Sequence, residues 1–341
     1  MDIVSLNYND LRFKTAEKIK KYLALSSNNR LTIGLYLKGR CYVFGNPEEE
    51  NRFRYDIGSV SKTLTAHLIL KLYEEGKLDI NHTADRFLPL KKGKYPTLYQ
   101  LLTHTAGYHH LTPVEVTLPP LITWGYARKN PYENCTVKTV IKSLERRRFF
   151  SRKVRYGYSD FSYAILAAVA QSVAKKPFSV LFEDFIQKEL GLKNTSVEED
   201  RVLRTPSAAC GKKILPFWVW KRDNPYIAGG GMVSNIEDVL RYISLQIESD
   251  KPYIYLAHTI CEESELKNDN HLMCIGWHTY KRSNQLWHVG GVGTFRSSLI
   301  LNKKRRMGVA VLGNAKGKAS ANAHYIAKML YSELKNKRIR L

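Results

Sequence analysis

Ser59-Val60-Ser61-Lys62, set between Phe53-Arg54-Tyr55-Asp56-Ile57-Gly58 and an apolar stretch from Thr63 to Tyr73, decides how this chain is read. Residues three apart on a helix share one face, so the Ser59 hydroxyl and the Lys62 amine are placed to converge in one cleft. With Ser59 in the first turn, unpaired backbone N–H groups and the positive dipole end favour an anion developing beside it. A lysine acts as a base only when neutral, which requires desolvation or crowding by other cationic donors. Val60, Leu64, Leu68 and Leu72 recur every four residues, and Ile69 and Leu70 add a second apolar face. A helix apolar on most sides is a buried helix.

Alone, Ser-x-x-Lys arises by chance in a chain with 54 Lys and Arg. Its weight comes from two later segments. Tyr156-Gly157-Tyr158-Ser159-Asp160-Phe161-Ser162-Tyr163 leads into an apolar helix predicted over Ala164 to Val173. A phenol close to a serine hydroxyl and a lysine amine can pass the proton to a leaving group, and a short polar side chain two residues on can hydrogen-bond lysine and substrate. The plainer reading is an aromatic helix start with Ser159 or Asp160 as N-cap. In Trp287-His288-Val289-Gly290-Gly291-Val292-Gly293-Thr294-Phe295, strand-like residues enclose a glycine-rich stretch. Glycine inside a strand pattern marks a close approach by a ligand or another backbone. A lone histidine there is more often an ordinary hydrogen-bonded residue than a catalyst.

Together the three segments resemble the serine β-lactamase and penicillin-binding-protein superfamily, in its class C, D,D-peptidase and esterase branch. That branch pairs Ser-x-x-Lys with Tyr-x-Asn or Tyr-Ser-Asn and ends with Lys-Thr-Gly or His-x-Gly. Supporting phrases are Asp56-Ile57-Gly58-Ser59, Leu101-Leu102-Thr103-His104-Thr105-Ala106-Gly107 and Ala228-Gly229-Gly230-Gly231-Met232-Val233-Ser234-Asn235, and the likeness runs from about Leu31 to Leu334. The resemblance implies an α/β (α+β) fold of β-lactamase/transpeptidase-like type. In it a central antiparallel sheet is flanked by helices, a second subdomain is mainly helical, and the active site lies between them. It also implies that Ser59 attacks the carbonyl, Lys62 holds and activates it, and Tyr158 shuttles the proton. His288 would stand on the strand lining the cleft and face Tyr158, and the backbone N–H groups of Ser59 and Gly291 would hold the oxyanion, with His288, Gly290 and Asp160 on the substrate side. Loss of one oxyanion donor costs roughly 3 kcal/mol in acyl transfer.

Two departures from that pattern bear on the substrate. Asp160 occupies the usual Asn position. Its carboxylate would keep Lys62 protonated, unless burial raises the aspartate's own pKa and leaves it neutral. Val289 occupies the middle of His-x-Gly, where penicillin-recognising members often carry Thr, and valine cannot hydrogen-bond a substrate carboxylate. These changes favour ester, amide or acyl-transfer chemistry over a β-lactamase or D,D-carboxypeptidase. Arg296 could restore carboxylate binding, or strand alternation could point it outward.

With 341 residues and 44% apolar content the chain can bury one sizeable core. Residues 1–83 and 224–341 are expected to build the sheet subdomain and 84–223 the mainly helical one, as a single catalytic unit. A helix is predicted near Ala16 to Leu25. Arg30 to Lys38 and Cys41 to Gly45 read as a hairpin around Gly39-Arg40, and Met273 to Tyr280, Gln285 to His288, Thr294 to Asn302 and Met307 to Gly313 as four strands before a last helix over Ser320 to Leu334. Tyr108 to Cys135 and Lys212 to Tyr226, with Trp124, Trp218 and Trp220, read as an apolar lip or as loops packed on the body.

The formal charge of +23 implies attraction to polyanions, an acidic carrier protein or an anionic surface. Its clusters, Arg146 to Arg148, Lys303 to Arg306 and Lys335 to Arg340, carry no interleaved aromatic motif for specific nucleic-acid binding. Cys41, Cys135, Cys210, Cys261 and Cys274 lie far apart and read as reduced thiols. The first residues have no apolar signal core and no stretch is long enough to span a bilayer, so cytoplasmic residence is expected; a chain with its signal removed would read the same. His104, His109 and His110 with His288 lack a carboxylate-bearing metal motif, and no cofactor is expected. The expected activity is a serine hydrolase forming an acyl-enzyme on Ser59 with a small ester or amide. The alternatives are a biosynthetic acyltransferase or thioesterase using an acidic carrier, a β-lactamase or D,D-carboxypeptidase, and a catalytically silent binding protein. The oligomeric state stays open.

Overall fold

The computed structural model describes residues 2–24, 27–110, 129–147, 156–197, 209–210, 213–214, 218–265, 270–315 and 322–341. Nine strands form one sheet: β1 (Ile3–Leu6), β2 (Leu31–Leu37), β3 (Arg40–Phe44), β4 (Ile260–Cys261), β5 (His271–Cys274), β6 (His278–Tyr280), β7 (Gln285–Val292), β8 (Phe295–Asn302) and β9 (Met307–Gly313). Their order across the sheet is β1-β3-β2-β9-β8-β7-β6-β5-β4, so the two ends of the chain meet where β2 pairs with β9. All pairings are antiparallel except β1 with β3.

The central strands are apolar on both faces because helices cover both. On one side Ile33, Leu35, Ile300, Val309 and Val311 pack with Ile19 and Tyr22 of helix α1 (Phe13–Leu23) and with Ile326 and Leu330 of the last helix. Their neighbours Leu299, Leu301, Ala310 and Leu312 face the larger core, which also holds Leu64 and Leu68 of α2 (Ser61–Glu74). Between residues 84 and 223 the main described helices are α3 (Val137–Arg146) and α4 (Asp160–Ala174). Helix α5 (Ile236–Glu248) lies close on the sheet, and α6 (Ala323–Lys335) is the last helix. A Cβ at Gly308 would stand 2.4 Å from Ile243 Cγ2, so the absence of a side chain there admits α5.

Three features differ from the sequence expectation. The hairpin turn is Lys38-Gly39, one residue early, because Leu37 pairs with Arg40. Both turn residues have positive φ, 48° and 92°, which suits the twist of a two-residue hairpin. The stretch expected as one strand, Met273 to Tyr280, is two, β5 and β6, folded back around Gly276 at φ 79°. A Cβ at Gly276 would lie 2.6 Å from the Ala66 Cβ, so the fold-back fits only because the turn has no side chain against α2. Strands β1 and β4 were not foreseen, since four and two residues are too few to show a period. No single described helix is long and apolar enough to cross a membrane.

Candidate active site

Ser59 sits in a 3-10 turn, Gly58–Val60, that runs directly into α2. Gly58 has φ 52°, and a Cβ on it would stand 2.5 Å from the Gly291 backbone N. The glycine-rich part of β7 therefore lies against the turn that carries Ser59. A Cβ at Gly290 would stand 1.9 Å from the Ile57 carbonyl oxygen. That same oxygen accepts a hydrogen bond from the Ser297 hydroxyl at 2.7 Å, which ties the turn to β8. Ser59 and Gly291 both line a cavity of about 670 Å³.

Lys62 is fully buried, and its Nζ reaches three oxygens: Ser59 Oγ at 3.1 Å, Asp160 Oδ1 at 2.5 Å and the Gly229 carbonyl at 2.7 Å. Burial draws the amine down from its ordinary range, against the opposing pull of the Asp160 charge. Asp160 opens α4, with Ser159 as the N-cap accepting from the Ser162 N–H at 3.2 Å. Desolvation works to raise its pKa, but Lys62, His110 and the Tyr132 hydrogen bond outweigh it and hold the carboxyl below the usual range. The helix N-terminus favours the same charge. Asp160 is thus ionised against Lys62, the first of the two states that the sequence leaves open.

The other carboxylate oxygen accepts from the Tyr132 hydroxyl at 2.8 Å and lies 3.4 Å from His110 Nδ1. Sequence reasoning missed Tyr132. It is held by an Asn130 turn, stacks on Tyr226 at 4.3 Å between ring centroids, and carries no local motif that announces its role. Tyr158 lies beside Lys62, whose Nζ is 4.9 Å from its ring centroid. Burial first, and the Asp160 charge second, push its phenol well above the usual value, while contact with the Ser59 hydroxyl works the other way. Tyr158 is therefore a neutral phenol at rest.

His288 is buried under the floor of the cavity, its ring 6.4 Å from that of Tyr158, and the next residues, Val289 to Gly293, supply the cavity wall. It faces Tyr158 as expected, while the cavity itself is lined by the residues that follow it in the chain, starting with Val289. Burial, then the Lys62 charge, lower its pKa to about 3, so the imidazole is neutral. His104 is a brace: its Nδ1 accepts the Ser159 N–H at 3.2 Å and its carbonyl accepts the Gly157 N–H at 2.8 Å. Arg296 lines the cavity, with Nη1 donating to the Gly293 carbonyl at 3.0 Å and the Phe295 carbonyl at 2.6 Å, so it does not point outward. Trp218 and Trp220 are 5% and 1% exposed and form a cavity wall with Tyr132 and Tyr226 rather than a protruding lip. Trp124, Arg148 and the Cys210 side chain lie outside the described residues.

The Beta-lactamase family matches residues 45–331. "Protein flp" of Staphylococcus aureus (strain MW2) is 23% identical over 295 residues, which cover 81% of this chain and 55% of that protein. The chain thus spans about half the length of the curated relatives it matches first. Among solved structures, the octameric penicillin-binding protein homologue from Pyrococcus abyssi superposes with TM-score 0.74 at 22% identity, covering 95% of this chain and 77% of that one. A D-stereospecific amidohydrolase from Streptomyces sp. gives TM-score 0.72 at 20% identity, covering 94% and 97%. With the match running across most of its length and the Ser59 turn, Tyr-Ser-Asp helix start and glycine-rich strand meeting at one cavity, the chain belongs to the Beta-lactamase family, within the serine β-lactamase and penicillin-binding-protein superfamily.

Proposed function

We propose that the protein is a serine hydrolase that forms an acyl-enzyme on Ser59 and acts on an ester or small amide. The observation that carries this reading is the 3.1 Å contact between Lys62 Nζ and Ser59 Oγ, placed in a cavity where the Gly291 amide packs against the nucleophile turn. Ser59 Oγ attacks the carbonyl. The oxyanion rests between the Ser59 and Gly291 backbone N–H groups, donors that act before any reorganisation. Tyr158, a neutral phenol against both Ser59 and Lys62, gives its proton to the leaving group and recovers one through Lys62. Water then releases the acyl group by the reverse path.

The cavity walls support the substrate class. Val289 offers no hydrogen bond where it faces the cleft, and Tyr132, Trp218, Trp220 and Tyr226 present an aromatic wall suited to an apolar acyl group. Arg296 also lines the cavity and supplies one cation, which is compatible with a substrate carrying a single anionic group.

The test is intact-mass measurement after exposure to a fluorophosphonate, a penicillin and a p-nitrophenyl ester, with Ser59→Ala as control. A Ser59-dependent adduct with ester turnover is expected. Absence of both would refute the reading, and rapid penicillin turnover would show that Val289 does not disfavour β-lactams.

A further inference from the structure

Asparagine at position 160 could hydrogen-bond Lys62 but could not take its proton; aspartate can do both. Three oxygens surround Lys62 Nζ, from Ser59, Asp160 and Gly229, at 3.1, 2.5 and 2.7 Å. An ammonium has three N–H donors and no lone pair. As an ammonium paired with the Asp160 carboxylate, Lys62 uses all three donors on these oxygens and can receive the Ser59 proton only after passing one on. The shortest of the three contacts shows where that proton can go. Tyr158, a neutral phenol, is not a resting base, and His104 and His288 are buried neutral imidazoles whose rings lie against Tyr158 and do not line the cavity.

We propose that Asp160 is the terminal proton acceptor for Ser59, reached through Lys62. The inference rests on Ser59 being the acylated residue. Lys62 gives one proton to Asp160 Oδ1, breaking an N–H bond and forming an O–H bond. Rotation about its Cε–Nζ bond then turns the freed lone pair toward Ser59. As Ser59 Oγ bonds to the carbonyl carbon, its proton moves to Nζ, which restores the ammonium, and the negative charge passes to the carbonyl oxygen. When the intermediate collapses, the leaving group takes the Tyr158 proton; Lys62 replaces it and recovers its own from Asp160. The net transfer is one proton from serine to leaving group, with no outside reactant.

Every charged or titratable group around Asp160 fits this role. Lys62 from α2 holds Oδ1, and Tyr132 and His110 hold Oδ2 from the segments that precede α3. Tyr158 stands two residues before it, and His104 and His288 are farther neighbours that feel its charge. Tyr132 is then a positioning residue: by donating to Oδ2 at 2.8 Å it keeps the carboxylate ready to accept at Oδ1.

The test is the pH dependence of single-turnover acylation by a p-nitrophenyl ester in wild type, Asp160→Asn and Tyr132→Phe. Wild type should hold its rate into the acidic range, losing it only as Asp160 protonates. Asp160→Asn should lose about 100-fold or more near pH 6, the order expected for a missing general base, and regain rate as pH rises and Lys62 itself deprotonates. Tyr132→Phe should move the acid limb upward, since it removes a hydrogen bond that favours the carboxylate. A loss in Asp160→Asn that is uniform across pH, or an unmoved acid limb in Tyr132→Phe, overturns the proposal. Should Asp160→Asn fail to fold, the Tyr132→Phe limb alone decides. If Ser59→Ala still turns over the ester, the underlying reading fails instead, which is a separate result.

Discussion

Lys62 and Asp160 form a buried pair 2.5 Å apart, so each depends on the other. Removing one partner of a buried pair leaves the other charge uncompensated, at a cost of roughly 3 to 5 kcal/mol. Lys62→Met, similar in length, should lower unfolding stability by about 3 kcal/mol in urea titration and abolish the Ser59 adduct. A variant as stable as wild type would show that Asp160 is neutral in the folded protein. Ser59, Lys62 and Tyr158 were legible in the sequence because their spacing and flanks form phrases. Tyr132 was not, since its importance comes from one hydrogen bond to a residue 28 positions away.

Helix α2 shows how an element resolves a conflict that its sequence only poses. It is buried from Ser61 through Leu70, yet that run includes Ser61, Lys62, Thr63, Thr65 and His67. Their hydroxyls and the lysine meet partners from neighbouring elements. Ser61 Oγ accepts the Met232 N–H at 3.3 Å, Thr65 donates to the Ala228 carbonyl at 2.9 Å, and Thr63 accepts the Tyr242 hydroxyl at 2.8 Å. The Ala228-Gly229-Gly230-Gly231-Met232 phrase is therefore a backbone strip that satisfies one side of α2 and fixes Lys62 through the Gly229 carbonyl. At the β7 edge, Gly290→Ala would drive a methyl group into the Ile57 carbonyl. The clash is with backbone that cannot swing aside, so a destabilisation of about 1 to 3 kcal/mol is expected, together with loss of acylation rate as the Ser59 turn shifts. Thermal melts and single-turnover kinetics check both, and wild-type kinetics in a folded Gly290→Ala protein would contradict the close approach.

For the molecule as a whole, desolvated histidines, two of them buried and His258 half-buried, make stability depend on pH. Burial lowers His67 to about 4, His258 to about 3 and His288 to about 3 from an ordinary 6.5. The unfolded chain then binds protons below pH 6.5 that the folded chain refuses until nearer pH 4. Stability from these groups is complete above pH 6.5 and falls with pH, each contributing a slope of up to about 1.4 kcal/mol per unit. The melting temperature should drop steadily from pH 7 to pH 5, and a flat or rising profile would mean that these imidazoles charge freely when folded. Lys14, Lys20 and Lys21 of α1, Lys328 of α6, and Lys337 and Arg340 are exposed on the helical layer that covers one side of the sheet, where Phe13 is 80% exposed. Cosedimentation with anionic phospholipid vesicles is expected at low salt and is expected to disappear at high salt. Equal binding to neutral vesicles would rule out a charge-driven contact.

Ser59-Val60-Ser61-Lys62, Tyr158-Ser159-Asp160, the glycine-rich stretch after Trp287 and a sheet drawn from both chain ends can all be read from the order of residues. Local order and period encode these directly: three residues per helix face, two per strand, and glycines at fixed places in a phrase. Tertiary structure alone decided that Asp160 is ionised and that Tyr132 and His110 hold it. It also decided that Val289, not His288, faces the cleft, and that the expected strand over Met273 to Tyr280 folds back at Gly276. Those outcomes depend on burial and on contacts between residues far apart in the chain, where the energy of a charge or a close approach is set by neighbours that no local pattern names.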